Sequence, residues 1–314
     1  MVYVERLERK GRTYYYLSKN FRVGKNKWKK IRRYIGETPP TKAVTEKVAR
    51  DIEHEAENLN IIKKYSKYEF LADEDAEQLQ DVKNVFKKWY GKIDEVSRNK
   101  YEEDFLVRFT YNSNAIEGNR LSLRETSMIL TENIIPSGTS PNDYTEALNS
   151  KECLEFVKKY EGEFNKKFLL EVQKLITKNT NCRIVGSYRD SNVGITGSDW
   201  RPPQIENLEK EMTAFFQWYY HSKNKFHPVE LASILHDKLV RTHPFTDGNG
   251  RTARMIMNWI LHKNGFPMVY VETSDKINYY KAIEEGDRGN DSVFIHYIAK
   301  HTIKQHAFRS KSNK

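Results

Sequence analysis

The run Met255-Ile256-Met257-Asn258-Trp259-Ile260-Leu261 is apolar almost all round a helix, and a helix of that kind must be enclosed by other elements. Helical periodicity supplies the enclosure. It starts at Thr41, just after Pro39-Pro40, and continues with short breaks almost to the end of the chain. Helices are expected near residues 41–63, 70–95, 98–117, 121–132, 141–160, 164–179, 204–222, 227–242, 251–264, 275–286 and 290–307.

Two stretches depart from this pattern. Residues 2–36 mix aromatic and β-branched residues with charges, as in Tyr14-Tyr15-Tyr16-Leu17 and Tyr34-Ile35, and Gly11, Gly24 and Gly36 punctuate them at turn positions. They read as a small β-meander. Residues 183–202 set Gly186, Gly194, Gly197 and Pro202-Pro203 around short β-prone pieces, which predicts a hairpin between helices. The fold class expected is mainly α: an all-helical core with a β-hairpin flap, preceded by a small N-terminal β-meander.

The segment His243-Pro244-Phe245-Thr246-Asp247-Gly248-Asn249-Gly250-Arg251-Thr252-Ala253-Arg254 leads into the buried helix. Glycines at a helix start let backbone N–H groups converge on one point, where the helix dipole also favours an anion, so the loop suits phosphate. Arg251 and Arg254 stand three apart in the first turn. There they repel each other and oppose the dipole, a conflict that a bound polyanion removes. Asp247 beside phosphate is repulsive unless Mg²⁺ bridges the two, an ion that commonly takes one or two carboxylates plus phosphate oxygens. His243, with an ordinary pKa of about 6.5, can accept a proton from an incoming hydroxyl. The bland alternative is a helix-loop-helix turn with Asp247 as cap and Asp247–Arg251 as a surface pair.

HPFTDGNGRTAR matches the signature HxFx(D/E)GNGRxxR at every fixed position, and the chain resembles the Fic family over roughly residues 98–305. The resemblance implies a protein adenylyltransferase that moves AMP from ATP to a hydroxyl of a target protein, with pyrophosphate leaving. It makes His243 the general base, with Phe245 packing the loop and Asp247 binding Mg²⁺, for which Mn²⁺ can substitute. Asn249 with the Gly248 and Gly250 amides would hold the phosphates, and Arg251 and Arg254 would grip the far ones. Residues 183–202 fall where the family has its target-positioning flap, with Val193 and Ile195 as candidates for clamping an extended segment. Tyr279 and Tyr280 match a Tyr-Tyr pair near the base, whereas Asp287 stands where related sequences often carry Asn.

Upstream, Ser113-Asn114-Ala115-Ile116-Glu117-Gly118-Asn119 ends a predicted helix, and Glu117 in its last turn opposes the negative dipole end. The segment is similar to the family's inhibitory motif (S/T)xxxE(G/N). That similarity pairs Glu117 with Arg254 and implies self-inhibition. The organisation expected is a basic β-meander accessory domain at 1–40, a helical linker at 41–97 and a core at 98–314. Within the core, the inhibitory helix lies near 98–118, the flap near 183–202 and the catalytic loop at 243–254.

Other readings stay open. The same site could run in reverse, with Glu117 positioning a water that removes AMP from a modified protein. His236-Asp237 also occurs in metal phosphohydrolases, although only His221, His227 and His243 are placed to help it. The formal charge of +10 suits nucleic acid, an acidic protein surface or a phosphate ligand, and residues 5–33 hold many of the cations, so a nucleic-acid or protein binding module is a further alternative. ATP, a target with a Ser, Thr or Tyr hydroxyl, self-modification and a homodimer complete the expected partners. With only Cys153 and Cys182, no apolar signal core and no run of about 18 apolar residues, the chain reads as cytoplasmic, without a membrane partner.

Overall fold

The computed structural model describes residues 2–9, 11–24, 27–58 and 68–307, which divide into two compact units, Met1–Lys67 and Tyr68–Lys314. In the first unit β1 (Tyr3–Arg9), β2 (Arg12–Gly24) and β3 (Lys27–Gly36) form an antiparallel sheet in the order β1-β2-β3. Directly opposed residues share a face, so Val4 pairs with Leu17, and Tyr16 with both Glu5 and Tyr34. One face carries Leu17, Phe21 and Ile31, which are buried with Ile52 and Ala56 of α1 (Lys42–Asn58). The i, i+4 spacing of Val48, Ile52 and Ala56 gives α1 an apolar stripe that this face covers. Thus α1, expected as part of a helical linker, packs in one unit with the sheet; residues 59–63 of the expected helix lie outside the described residues.

The second unit holds ten α-helices among the described residues. They are α2 (Asp73–Tyr90), α3 (Glu95–Ile116), α4 (Leu123–Thr131), α5 (Pro141–Lys159), α6 (Lys166–Thr177), α7 (Ile205–Ser222), α8 (Pro228–Thr242), α9 (Asn249–Lys263), α10 (Lys276–Asp287) and α11 (Asp291–His306). Their starts follow local chemistry. Asp94 accepts from Ser97 N at 2.9 Å, Ser122 and Glu125 form a capping box, and Ser140 caps a helix that opens on Pro141.

Helix α9 lies at the centre, and every residue from Arg251 to Leu261 is buried. Trp259 packs against Phe168 at 4.9 Å and Phe164 at 5.9 Å between ring centroids. Asn258, fully buried, donates to Val269 O and accepts from Val269 N, which ties the chain after the helix back onto it. Among the described residues no helix is long and apolar enough to cross a membrane.

Residues 183–202 contain no strand, contrary to the hairpin expected there. Side chains take the bonds that a second strand would have made. Arg189 donates to His243 O, Ser191 O and Pro203 O, while Arg183 pairs with Asp190. The segment is a series of turns pinned to the ends of the 243–248 loop.

Glu230, in the first turn of α8, is fully buried and accepts from three backbone N–H groups, those of Phe70, Leu71 and His227, at 2.8, 2.8 and 3.0 Å. Replacing it with Ala orphans all three. Glu230→Ala is expected to lower stability by about 3 kcal/mol or more, because each buried unpaired donor costs about 1 to 3 kcal/mol. Urea unfolding measures this, and a drop under about 1 kcal/mol would show that water or relaxation satisfies the donors.

Candidate active site

The loop between α8 and α9 is held from within. His243 ends α8 in the left-handed region (φ 48°, ψ 56°), a conformation that costs a residue with a Cβ about 1 to 2 kcal/mol. The imidazole Nδ1 donates to Val240 O at 3.1 Å, which leaves Nε2 as the acceptor, while His243 O receives the Arg189 guanidinium at 2.9 Å. Burial pushes the His243 pKa below the ordinary histidine value, against the opposing effects of Val240 O and the Glu117 charge. The ring is therefore biased toward its neutral, proton-accepting form.

Phe245 is fully buried in the core, and its backbone is clasped by Asn249, whose side chain accepts from Phe245 N at 3.0 Å and donates to Phe245 O at 2.9 Å. The Asn249 amide, expected on the phosphates, is thus engaged inside the loop, and ligand donation is left to backbone N–H groups. Those of the first turn of α9 lack intrahelical acceptors. Gly248, at φ 78°, precedes them; a Cβ there would also lie 2.7 Å from Thr177 Cγ2. Gln173, fully buried on α6, links its carbonyl to Gly186 N and its amide to Asp247 O.

Arg251 and Arg254 are both buried, and each has anionic company. Arg251 donates to Glu146 at 2.8 Å and to both Asp247 oxygens at 3.1 Å. Arg254 donates to Glu117 at 2.7 Å, to Ser113 O at 2.8 Å, to Ser113 Oγ at 3.0 Å and to the Tyr279 hydroxyl at 3.2 Å. Glu117 is the C-cap residue of α3 and lies 137 residues upstream of Arg254. Gly250 makes this contact feasible, since a Cβ there would stand 2.4 Å from Glu117 Oε1 and 3.0 Å from Arg254 Nη1.

Glu117, His243, Gly250 and Arg254 line one cavity of about 520 Å³. Ile195 and Tyr280 also line it, whereas Val193 is half-buried in the 183–202 segment outside its lining. Tyr279 lines it too but is almost fully buried, with its hydroxyl between Arg254 and His236 Nε2 (2.9 Å), whereas Tyr280 is 40% exposed and available to a ligand. Asp287 lies at the rim 3.4 Å from Arg241, and burial pushes its carboxyl up.

Among the described residues no cluster of three or more His, Cys, Asp or Glu could hold a metal ion. Asp247, half-exposed, is a single carboxylate just before the N-terminus of α9. That donor chemistry fits Mg²⁺ arriving with phosphates better than a metal held by protein alone. His236, suggested as part of a metal pair, is fully buried against Tyr279 and Phe294, and burial holds its ring well below the ordinary pKa.

Sequence reasoning missed Glu146, Gln173 and Arg189. Each reaches a partner in the 243–254 segment from far along the chain, Glu146 to Arg251, Gln173 to Asp247 and Arg189 to His243, and no local pattern marks it.

Residues 163–261 match the model of the Fic/DOC family. Over 197 residues the chain is 36% identical to a protein from Nematostella vectensis called protein adenylyltransferase Fic, covering 61% of this chain and 46% of that protein. It is 32% identical over 200 residues to protein adenylyltransferase fic-1 of Caenorhabditis elegans, covering 62% of this chain and 39% of the relative. The chain thus spans about half the length, or less, of the curated relatives it matches. Among solved structures, a Fic-domain-containing signaling protein from Bacteroides thetaiotaomicron superposes with a TM-score of 0.68 at 26% identity, covering 74% of this chain and 96% of that one.

The burial of His243 has a measurable sign. Its folded-state pKa is depressed, so this contribution to stability is present above the ordinary value of about 6.5 and is lost as pH falls toward the lowered folded value. Histidine-ring NMR, with the signal assigned through His243→Gln, should give a midpoint below about 6.5. In Glu117→Gln the midpoint should be lower still, because the anion that favours imidazolium is gone. A midpoint at or above the ordinary value would overturn the account.

Proposed function

We propose that this chain, which carries a Fic domain at residues 163–261, is a protein adenylyltransferase that moves AMP from ATP to a Ser, Thr or Tyr hydroxyl of a protein and is restrained by its own Glu117. The observation that carries the reading is one buried guanidinium, Arg254, near the start of α9 and 2.7 Å from a carboxylate of the same chain. A nucleotide's terminal phosphate and Glu117 are rivals for that cation.

In this reading the phosphates lie across the N-terminus of α9, received by the Gly248–Gly250 backbone, with Asn249 keeping the loop in shape. Arg251 and Arg254 neutralise the outer phosphates, and the base rests near Tyr280 and Asp287, with Tyr279 bracing Arg254. Asp247 would hold Mg²⁺, which supplies positive charge to the phosphate oxygens. Ile195 at the cavity, with Val193 beside it, would steady the target's backbone. The target hydroxyl gives its proton to His243 Nε2 while its oxygen bonds the α-phosphorus. The bond from that phosphorus to the bridging oxygen breaks, and pyrophosphate leaves with its electron pair. Cys153 and Cys182 are free thiols, which suit a reducing compartment, and we assign the activity to the cytoplasm.

Labelled ATP and a cell extract test the restraint. Glu117→Gly should raise AMP transfer, self-labelling included, about 10- to 100-fold, equivalent to about 1.4 to 2.8 kcal/mol of barrier. Adding Arg254→Ala should abolish the gain, and His243→Ala should retain nucleotide binding by calorimetry yet transfer nothing. If Glu117→Gly leaves the rate unchanged but stops removal of AMP from a premodified protein, Glu117 serves hydrolysis and the reverse reaction is the function.

A further inference from the structure

Residues 2–36 hold twelve Lys and Arg against Glu5 and Glu8, a balance of +10. That equals the formal net charge of the whole chain, so all the other residues together sum to zero. The charge is therefore a property of the sheet, and strand register distributes it. The face turned away from α1 carries Tyr3, Glu5, Leu7 and Arg9 on β1, Tyr14 and Tyr16 on β2, and Trp28, Lys30, Arg32 and Tyr34 on β3. Arg12 pairs with Arg9 at the hairpin end.

This face lacks a core to cover. Trp28 is 64% exposed and Tyr34 54%, so the face presents large rings to solvent among its cations. Its one acid, Glu5, is engaged by Lys30 and by Arg32 at 3.4 Å, so it holds two cations in place on the strand and leaves the face net positive. Arg12 reaches Glu37 only at 3.9 Å, with both side chains well exposed.

We infer that the open face of the β1–β3 sheet is a docking surface for duplex nucleic acid. Three strands about 4.8 Å apart set the outer strand axes about 10 Å from one another, so the sheet can lay its side chains over a major groove about 12 Å wide. The 13 residues of β2, at about 3.3 Å each, run further than one helical turn of about 34 Å. Arg9 with Arg12 at the hairpin end, and Lys30 and Arg32 along β3, then face the phosphates that flank the groove. Single-stranded RNA fits less well, because it needs aromatic faces on which bases stack. Here the Tyr16 face is occupied by the Arg32 guanidinium at 3.7 Å, and the rings of Tyr14 and Tyr16 are tilted against Tyr34 at 6.2 and 5.4 Å, so stacking would fall mainly to Trp28. The inference is independent of nucleotidyl transfer.

The test uses the full chain without nucleotide and a fluorescent duplex of about 20 base pairs of mixed sequence, long enough to span the strand footprint. Binding should weaken steeply with salt. Arg9→Glu/Arg12→Glu and Lys30→Glu/Arg32→Glu should each weaken it at least about tenfold and lower the slope of log affinity against log salt by about 2, roughly one unit for each phosphate left without its cation. Lys87→Glu/Lys88→Glu on α2 makes the same change in net charge away from the sheet and should bind within about twofold of the parent. Circular dichroism confirms folding of each variant, and the Arg9/Arg12 pair at the hairpin end keeps the test valid if the Lys30/Arg32 pair disturbs Glu5. The inference fails if the duplex does not bind at low salt, if single-stranded RNA or polyglutamate binds as well as the duplex, or if the α2 variant is weakened as much.

Discussion

Two guanidinium groups are buried at the start of a helix that is otherwise apolar, and the second unit is organised around making that tolerable. A buried cation without an anion costs several kcal/mol, and both sit where the helix dipole is also unfavourable. The answer comes from three directions. Glu146 on α5 and Asp247 in the loop meet Arg251, and Glu117 at the end of α3 meets Arg254. Helices far apart in sequence are therefore fastened to α9 by charge as well as by packing. The same two cations are what the loop would offer a nucleotide, so ligand and scaffold draw on one set of positive charges.

Much of this was legible in the sequence because it is local. The apolar circumference of residues 255–261 and the Gly-Asn-Gly step each express themselves within a turn or two of chain. The Glu117–Arg254 contact is not local. Spacing alone showed only a carboxylate and a guanidinium each badly placed in its own helix, and the family resemblance supplied the partner. Glu146 gave no such hint, since a glutamate early in a predicted helix reads as solvated until the Arg251 side chain is seen beside it.

The stretch at 183–202 was misread for a related reason. Its β-prone residues and glycines describe a hairpin when only neighbours are considered. Arg189 overrides that, because one buried guanidinium bonded to three carbonyls dictates the path of the backbone around it. Helix α1, expected within a linker, buries Ile52 and Ala56 against Leu17, Phe21 and Ile31 of the sheet, contacts that no local pattern shows.

Gly250 adds a genetic consequence. Every single-base change that alters a glycine codon's meaning without stopping the chain introduces a side chain, and any side chain here intrudes on the Glu117 carboxylate, which lies 2.4 Å from the position of a Cβ. Such a change would prise Glu117 from Arg254, but it would also crowd the backbone proposed to receive phosphate. Breaking the pair through this codon would therefore damage what the pair guards, whereas a change in the Glu117 codon would spare the loop. Heritable release of the proposed restraint, if selected, should be found at position 117 and not at 250.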